Sequence, residues 1–102
     1  MAAVNGGFKM LGKIEMNIIT DLSKLPQKIA TAMGTIENPD LVGSSFKAVM
    51  YVGNQPVRGT NYWFIAEETL TTANFDKHLV LMAVNEYENE YEIVKSSIVR
   101  VI

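Results

Sequence analysis

The chain has 102 residues, with 9 basic and 11 acidic side chains, a formal net charge of −2 and no cysteine. At 48% hydrophobic and 20% charged residues it reads as one globular domain with a single core, neither disordered nor membrane-spanning. The missing cysteines exclude disulfides, thiolate nucleophiles and thiolate metal sites, and the absence of any basic cluster argues against a nucleic-acid partner.

Apolar runs such as Leu79 to Val84 are too short to cross a bilayer, so no membrane partner is expected. Met1 to Phe8 lacks the basic start and apolar stretch of a secretion signal, which predicts a cytoplasmic chain. A mature form cut from a longer precursor would read the same way.

Residues 13–19 alternate: Ile14, Met16 and Ile18 are apolar, while Lys13, Glu15 and Asn17 are polar. A period of two predicts a strand with one buried face. Leu22, Leu25, Ile29, Met33 and Ile36 then recur at helical spacing and predict one apolar stripe on a helix over about 22–36. Asp21 or Ser23 is expected to cap it, Pro26 to fall in its first turn, and Asn38-Pro39 to end it.

Beyond the short linker Gly43-Ser44-Ser45, four strands are expected: Phe46 to Asn54, Thr60 to Glu68, Lys77 to Glu86 and Tyr91 to Ile102. Their connections are a tip at Gln55–Gly59, a looser turn at Thr71–Asn74 and a tight acidic turn at Glu88-Asn89. Short connections favour an antiparallel meander, and the single amphipathic helix is the only cover available for it. The fold class is therefore α+β, one helix across a four- to five-stranded antiparallel sheet, as a single domain over residues 1–102.

Residues 55–62 read Gln55-Pro56-Val57-Arg58-Gly59-Thr60-Asn61-Tyr62. By composition this is a hairpin turn, since Gly59 permits positive φ and Pro56 presets φ. The same octapeptide resembles the Gln-x-Val-x-Gly signature of the cystatins, inhibitors of papain-like cysteine proteases, and the Thr-Asn-Tyr that often follows there. Phe46 to Tyr51 is similar to the strand leading into the inhibitory hairpin of that family, and Lys77 to Val84 to the strand before its second hairpin. The likeness covers residues 46–102 by sequence and residues 1–45 only by the order of elements. Without cysteines, it points to the disulfide-free, stefin-like branch.

The resemblance implies a reversible inhibitor that plugs the protease cleft with three segments. The first hairpin, Gln55, Pro56, Val57, Arg58 and Gly59, would be the centre of the wedge. Gly6 and Gly7 would belong to an N-terminal trunk over residues 1–8, although glycines near a terminus are commonly plain disordered chain. Tyr87, Glu88 and Asn89 would form the second hairpin, with Tyr87 as its aromatic contact. The chain departs from the family pattern in four places. Pro56 takes a position often aliphatic, Arg58 one often small, and Val52-Gly53-Asn54 is one residue longer than usual, which a bulge could absorb. The second hairpin lacks the family's proline. These departures keep open a second reading, a non-inhibitory cystatin-fold interaction module.

The remaining polar residues read as structural. Trp63 suits sheet-face packing, His78 sits alone in an apolar strand, and Glu86, Glu88, Glu90 and Glu92 alternate as a solvated strand face. No catalytic constellation, cofactor site or metal site is expected, so the chain is not read as an enzyme. The partner expected is a papain-like protease. The long first hairpin permits a domain-swapped dimer, but Pro56 opposes a continuous strand through the tip, so mainly monomer is expected.

Overall fold

The apolar stripe and the proline together decide where the helix starts. In the computed structural model, which describes residues 12–38, 43–71 and 76–102, Leu25 is extended because it precedes Pro26 (φ −73°, ψ 139°). The expected single helix therefore divides. A 3₁₀ turn at Leu22–Lys24 is capped by Asp21, whose Oδ1 accepts from Ser23 N at 3.2 Å. The helix α1 (Gln27–Glu37) begins only after Pro26, which takes the position before its first turn. Ile29, Ala32 and Ile36 are buried on one side of α1, with Leu22, Leu25 and Met33 packed beside them. Asn38 closes the helix by donating both its backbone N–H and its side-chain amide to Gly34 O, each at 3.1 Å.

Five antiparallel strands follow the sequence order β1-β2-β3-β4-β5 across one sheet. They are β1 (Glu15–Ile19), β2 (Ser44–Val57), β3 (Gly59–Leu70), β4 (Asp76–Tyr87) and β5 (Glu90–Arg100). The helix lies across β2 to β5 on one face. The strands toward it supply Phe46, Ala48 and Tyr51, then Tyr62, Phe64 and Ala66, then Val80, Met82 and Val84, and finally Ile93. Tyr51 and Phe64 meet edge to face, with ring centroids 5.5 Å apart. One helix packed on a five-stranded antiparallel sheet is thus the architecture.

Cross-strand register sorts the other face into rows, because paired residues share a side. Nearest the hairpin tips is an amide row, Gln55–Asn61–Asn85, ending at Glu92. Below it run two apolar rows, Gly53–Trp63–Ala83–Val94 and Met50–Ile65–Leu81–Val99, and then Lys47–Glu67–Leu79. Three irregularities re-aim side chains between the faces. β2 bulges at Val49 and again at Val52. β5 loses register between Val94 and Val99, where Ser97 Oγ repairs the ladder by accepting from Ala83 N (2.8 Å) and donating to Val94 O (2.5 Å).

The alternation of the first strand is real, but its apolar side faces away from the helix. Ile14, Met16 and Ile18 are 38%, 65% and 53% exposed, and only Ile19 packs on the core. A register shift between Met16 and Ile19 turns the chain over, so β1 reaches the core with its last residue alone. The acidic run is also divided. Glu86 is buried under the helix, Glu88 occupies a turn, and Glu90 and Glu92 are exposed on β5. Among the described residues, no helix is long and apolar enough to cross a membrane.

Tyr51 brings one unpaid polar group into this core. Its hydroxyl is buried without a hydrogen-bond partner among the described residues. Burial, reinforced by neighbouring Tyr62, pushes that hydroxyl from 10.0 up to about 12. The core holds the neutral phenol, so this contribution is intact below the unfolded value and is lost as pH rises toward about 12. Tyr51→Phe removes the orphaned group and should raise stability by about 1 kcal/mol in urea denaturation at neutral pH. It should also flatten the loss of stability expected of the native protein between pH 10 and pH 12.

Candidate functional site

The two hairpins end level with each other at one end of the sheet. The β2–β3 ladder runs up to Val57 opposite Gly59, so the first tip is a tight bend at Arg58 and not a five-residue loop. Pro56 and Arg58 are exposed there, whereas Gln55, Val57 and Gly59 are half-buried. Gly59 takes φ +80°, and a β-carbon built on it would run into the Glu86 carbonyl oxygen of β4. Glycine is required twice over, for its backbone angle and for the close approach of β3 to β4.

The second tip is a two-residue turn. Glu88 and Asn89 both have positive φ (53° and 65°), the requirement of a type I′ hairpin that matches strand twist. The Glu86 carboxylate fixes it by accepting from Asn89 N at 2.9 Å while its other oxygen lies 3.7 Å from Lys28 Nζ of α1. Tyr87, Glu88 and Asn89 are all exposed.

Arg58 joins the tips. Its guanidinium lies 4.8 Å over the Tyr87 ring and donates to Tyr87 Oη at 3.4 Å. Asn85 Nδ2 donates to Arg58 O at 3.1 Å from the floor of the same joint. Val57, Arg58, Asn61, Asn85, Tyr87 and Val94 surround an open, mainly apolar hollow of about 440 Å³.

The chain entering β1 reaches the same end. Gly12 N donates to Pro56 O at 2.9 Å, and Gly12 O accepts from Gln55 Nε2 at 3.0 Å. Gln55 Oε1 in turn accepts from Trp63 Nε1 at 3.0 Å and Asn61 Nδ2 at 3.4 Å, and Asn61 Oδ1 accepts from Asn85 Nδ2 at 2.9 Å. An indole N–H only donates and a carbonyl only accepts, so Gln55 has a single satisfying orientation. Gly12 and the first tip are linked by one directed chain of amides that starts at Asn85, and the second tip joins them through Arg58 on Tyr87.

The sequence-expected residues of both hairpins, Gln55 to Gly59 and Tyr87 to Asn89, therefore assemble at one place. Gly6 and Gly7 lie outside the described residues, as does most of the turn expected at Thr71–Asn74. Asn85 and Gly12 also belong to the assembly without a signal read from the sequence, and Asn61, part of the Gln55–Tyr62 stretch, joins it through its amide. Asparagine is disfavoured inside strands, and two of them within otherwise apolar strands are a signal of paired amides.

His78 is less solitary than its strand suggests. At the opposite end of the sheet its ring sits between β3 and β4, with Nε2 2.8 Å from Glu68 Oε1 and Nδ1 3.1 Å from Asp76 Oδ2. Ser44 Oγ donates to Glu68 Oε2 at 2.8 Å, not to the imidazole, so the four residues form no nucleophile relay.

Compared with models of known families, with curated proteins and with solved structures, the chain matches none.

Two substitutions check how this end is built. Gly59→Ala should cost more than about 1 kcal/mol, because it meets both a left-handed backbone and the Glu86 carbonyl. Gln55→Ala should cost about 1–2 kcal/mol by orphaning the Trp63 N–H, and should speed amide hydrogen exchange at Gly12. Equilibrium unfolding and exchange measured by NMR read both effects.

Proposed function

We propose that the chain is a stefin-like member of the cystatin superfamily that reversibly inhibits papain-like cysteine proteases by plugging the active-site cleft. The observation that carries this reading is the convergence of three segments at one end of the sheet: the chain at Gly12, the tip at Val57–Gly59 and the turn at Glu88-Asn89. A protease cleft is a narrow slot, and a row of tight, pre-ordered turns enters it with little conformational entropy left to lose. The Gln55-Pro56-Val57-Arg58-Gly59 sequence occupies the middle of that row, and one helix on a five-stranded antiparallel sheet is the scaffold expected for it. In this reading Val57 and Tyr87 give the apolar contacts, and backbone groups at the tips give the polar ones. No ordinary scissile bond is offered to the catalytic cysteine, so the inhibitor is not consumed.

A second reading, a non-inhibitory cystatin-fold interaction module, draws on a specific observation. The polar atoms of Gln55 are engaged by Gly12, Asn61 and Trp63, and Arg58 caps the tip with a bulky cation held on Tyr87. Titration of the folded protein into papain or a cathepsin separates the two.

Inhibition should saturate at a stoichiometric plug, and Val57→Asp should weaken it by at least tenfold while leaving the unfolding midpoint nearly unchanged. A half-buried side chain at a rim tolerates charge, whereas a dry protease slot does not. No inhibition at high micromolar concentration would transfer the chain to the interaction-module reading.

A further inference from the structure

The face of the sheet opposite α1 is built like a core without a cover. In a two-layer α/β domain that face normally alternates to polar residues, because water covers it. Here two adjacent rows are apolar from β2 to β5, and Trp63, Ile65 and Leu81 stand at their centre. These three shield one another and are half-buried, while Val99 at the β5 end is 57% exposed. Among the described residues no element lies over these rows, since α1 and the 3₁₀ turn both pack on the other side.

The first strand adds an independent observation. Met16 is paired with Gly53, and Ile14 lies two residues back on the same side, so β1 aims its regular apolar alternation at the edge of this same face. A strand patterned for burial that turns its apolar side away from the helix is patterned for a different contact.

We propose that this face is the interface of a homodimer, two copies packing sheet to sheet with their helices outward. This rests on the sheet alone, is independent of the protease reading, and departs from the mainly monomeric chain expected from the sequence. The chemistry of the face favours a copy of itself over an unlike partner, because an isologous contact must be self-complementary. Apolar rows match apolar rows, and carboxamides carry both donors and acceptors, so the amide row can pair with any polar rim. At the other margin Lys47 stands opposite Glu67, so that row carries both signs and does not repel its own image.

The size also fits. Strands about 4.8 Å apart and rows about 6.8 Å apart give four rows across the four strands β2 to β5 a projected area of roughly 500 Å². Side-chain relief increases that area, and a standard interface buries about 800 Å² per partner. Sheets stacked about 10 Å apart would bury Trp63 and leave both hairpin tips at the rim.

Sedimentation velocity of the full chain from low to high micromolar concentration tests this, with Trp63 fluorescence followed in parallel. The expected result is a mass twice the 11.3 kDa of the chain at the upper end, and a red shift of Trp63 emission as dilution frees it. Leu81→Glu should weaken the dimer by at least tenfold with an unchanged circular dichroism spectrum. Val99→Lys, at an exposed position that leaves the helix-side core untouched, should do the same and guards against a folding defect in the first variant. The single-chain mass at every concentration would overturn the proposal, and so would a dimer that both folded variants leave intact. A monomer that binds lipid vesicles or another protein through Leu81 would equally assign the face elsewhere.

Discussion

The joint between Gly59 and Glu86 is the constraint on which the hairpin end depends. Without a side chain and at positive φ, Gly59 lets the start of β3 close on the carbonyl of Glu86. The same glutamate carries a buried carboxylate that holds the Asn89 N–H of the second turn and faces Lys28 on the helix. Backbone on one side and carboxylate on the other thus bring three things to one residue: the first tip, the second tip and the helix that covers the core. A buried acid is costly unless its oxygens are satisfied, and here each oxygen has a partner. A shift of the β3–β4 register by one residue would part Gly59 from Glu86 and would turn either the β3 set with Phe64 or the β4 set with Met82 out of the core.

The amide row extends that joint sideways. Asn85, Asn61 and Gln55 pass hydrogen bonds from the Arg58 carbonyl to Trp63 and Gly12, so the first tip is tied from beneath, while the Glu86 carboxylate holds the second turn. Polar residues above and apolar rows below give the open face of the sheet two different properties. The rim near the tips is rigid and polar, suited to presenting turns to a narrow slot. The belt below it is apolar, suited to being covered.

Periodicity exposed much of this in advance. The helical stripe of Ile29, Met33 and Ile36 and the alternation of the strands follow from spacing, since each is a local pattern, and both turns follow from turn residues, although the first narrows from Gln55–Gly59 to a bend at Arg58. What spacing hides is which side is covered. Ile14, Met16 and Ile18 alternate as expected, but alternation names residues that share a face and not the neighbour that face meets. The bulge at Val52 is legible in Val52-Gly53-Asn54, whereas the one at Val49 reverses facing without any residue type that announces it. Gly59 was legible as a turn residue, yet its approach to Glu86 depends on a strand 27 residues away (86 − 59). The carboxylates around His78 and the split of the acidic run are of the same kind, set by register between strands and not by sequence neighbours.

Hydrogen–deuterium exchange of the protein alone and with an active-site-blocked papain tests the central claim, that the hairpin end is a single protease-facing surface. The account predicts added protection at residues 55–59 and 86–90 together, with the helix α1 unchanged. Protection confined to one tip, or located on the helix side of the sheet, would contradict it.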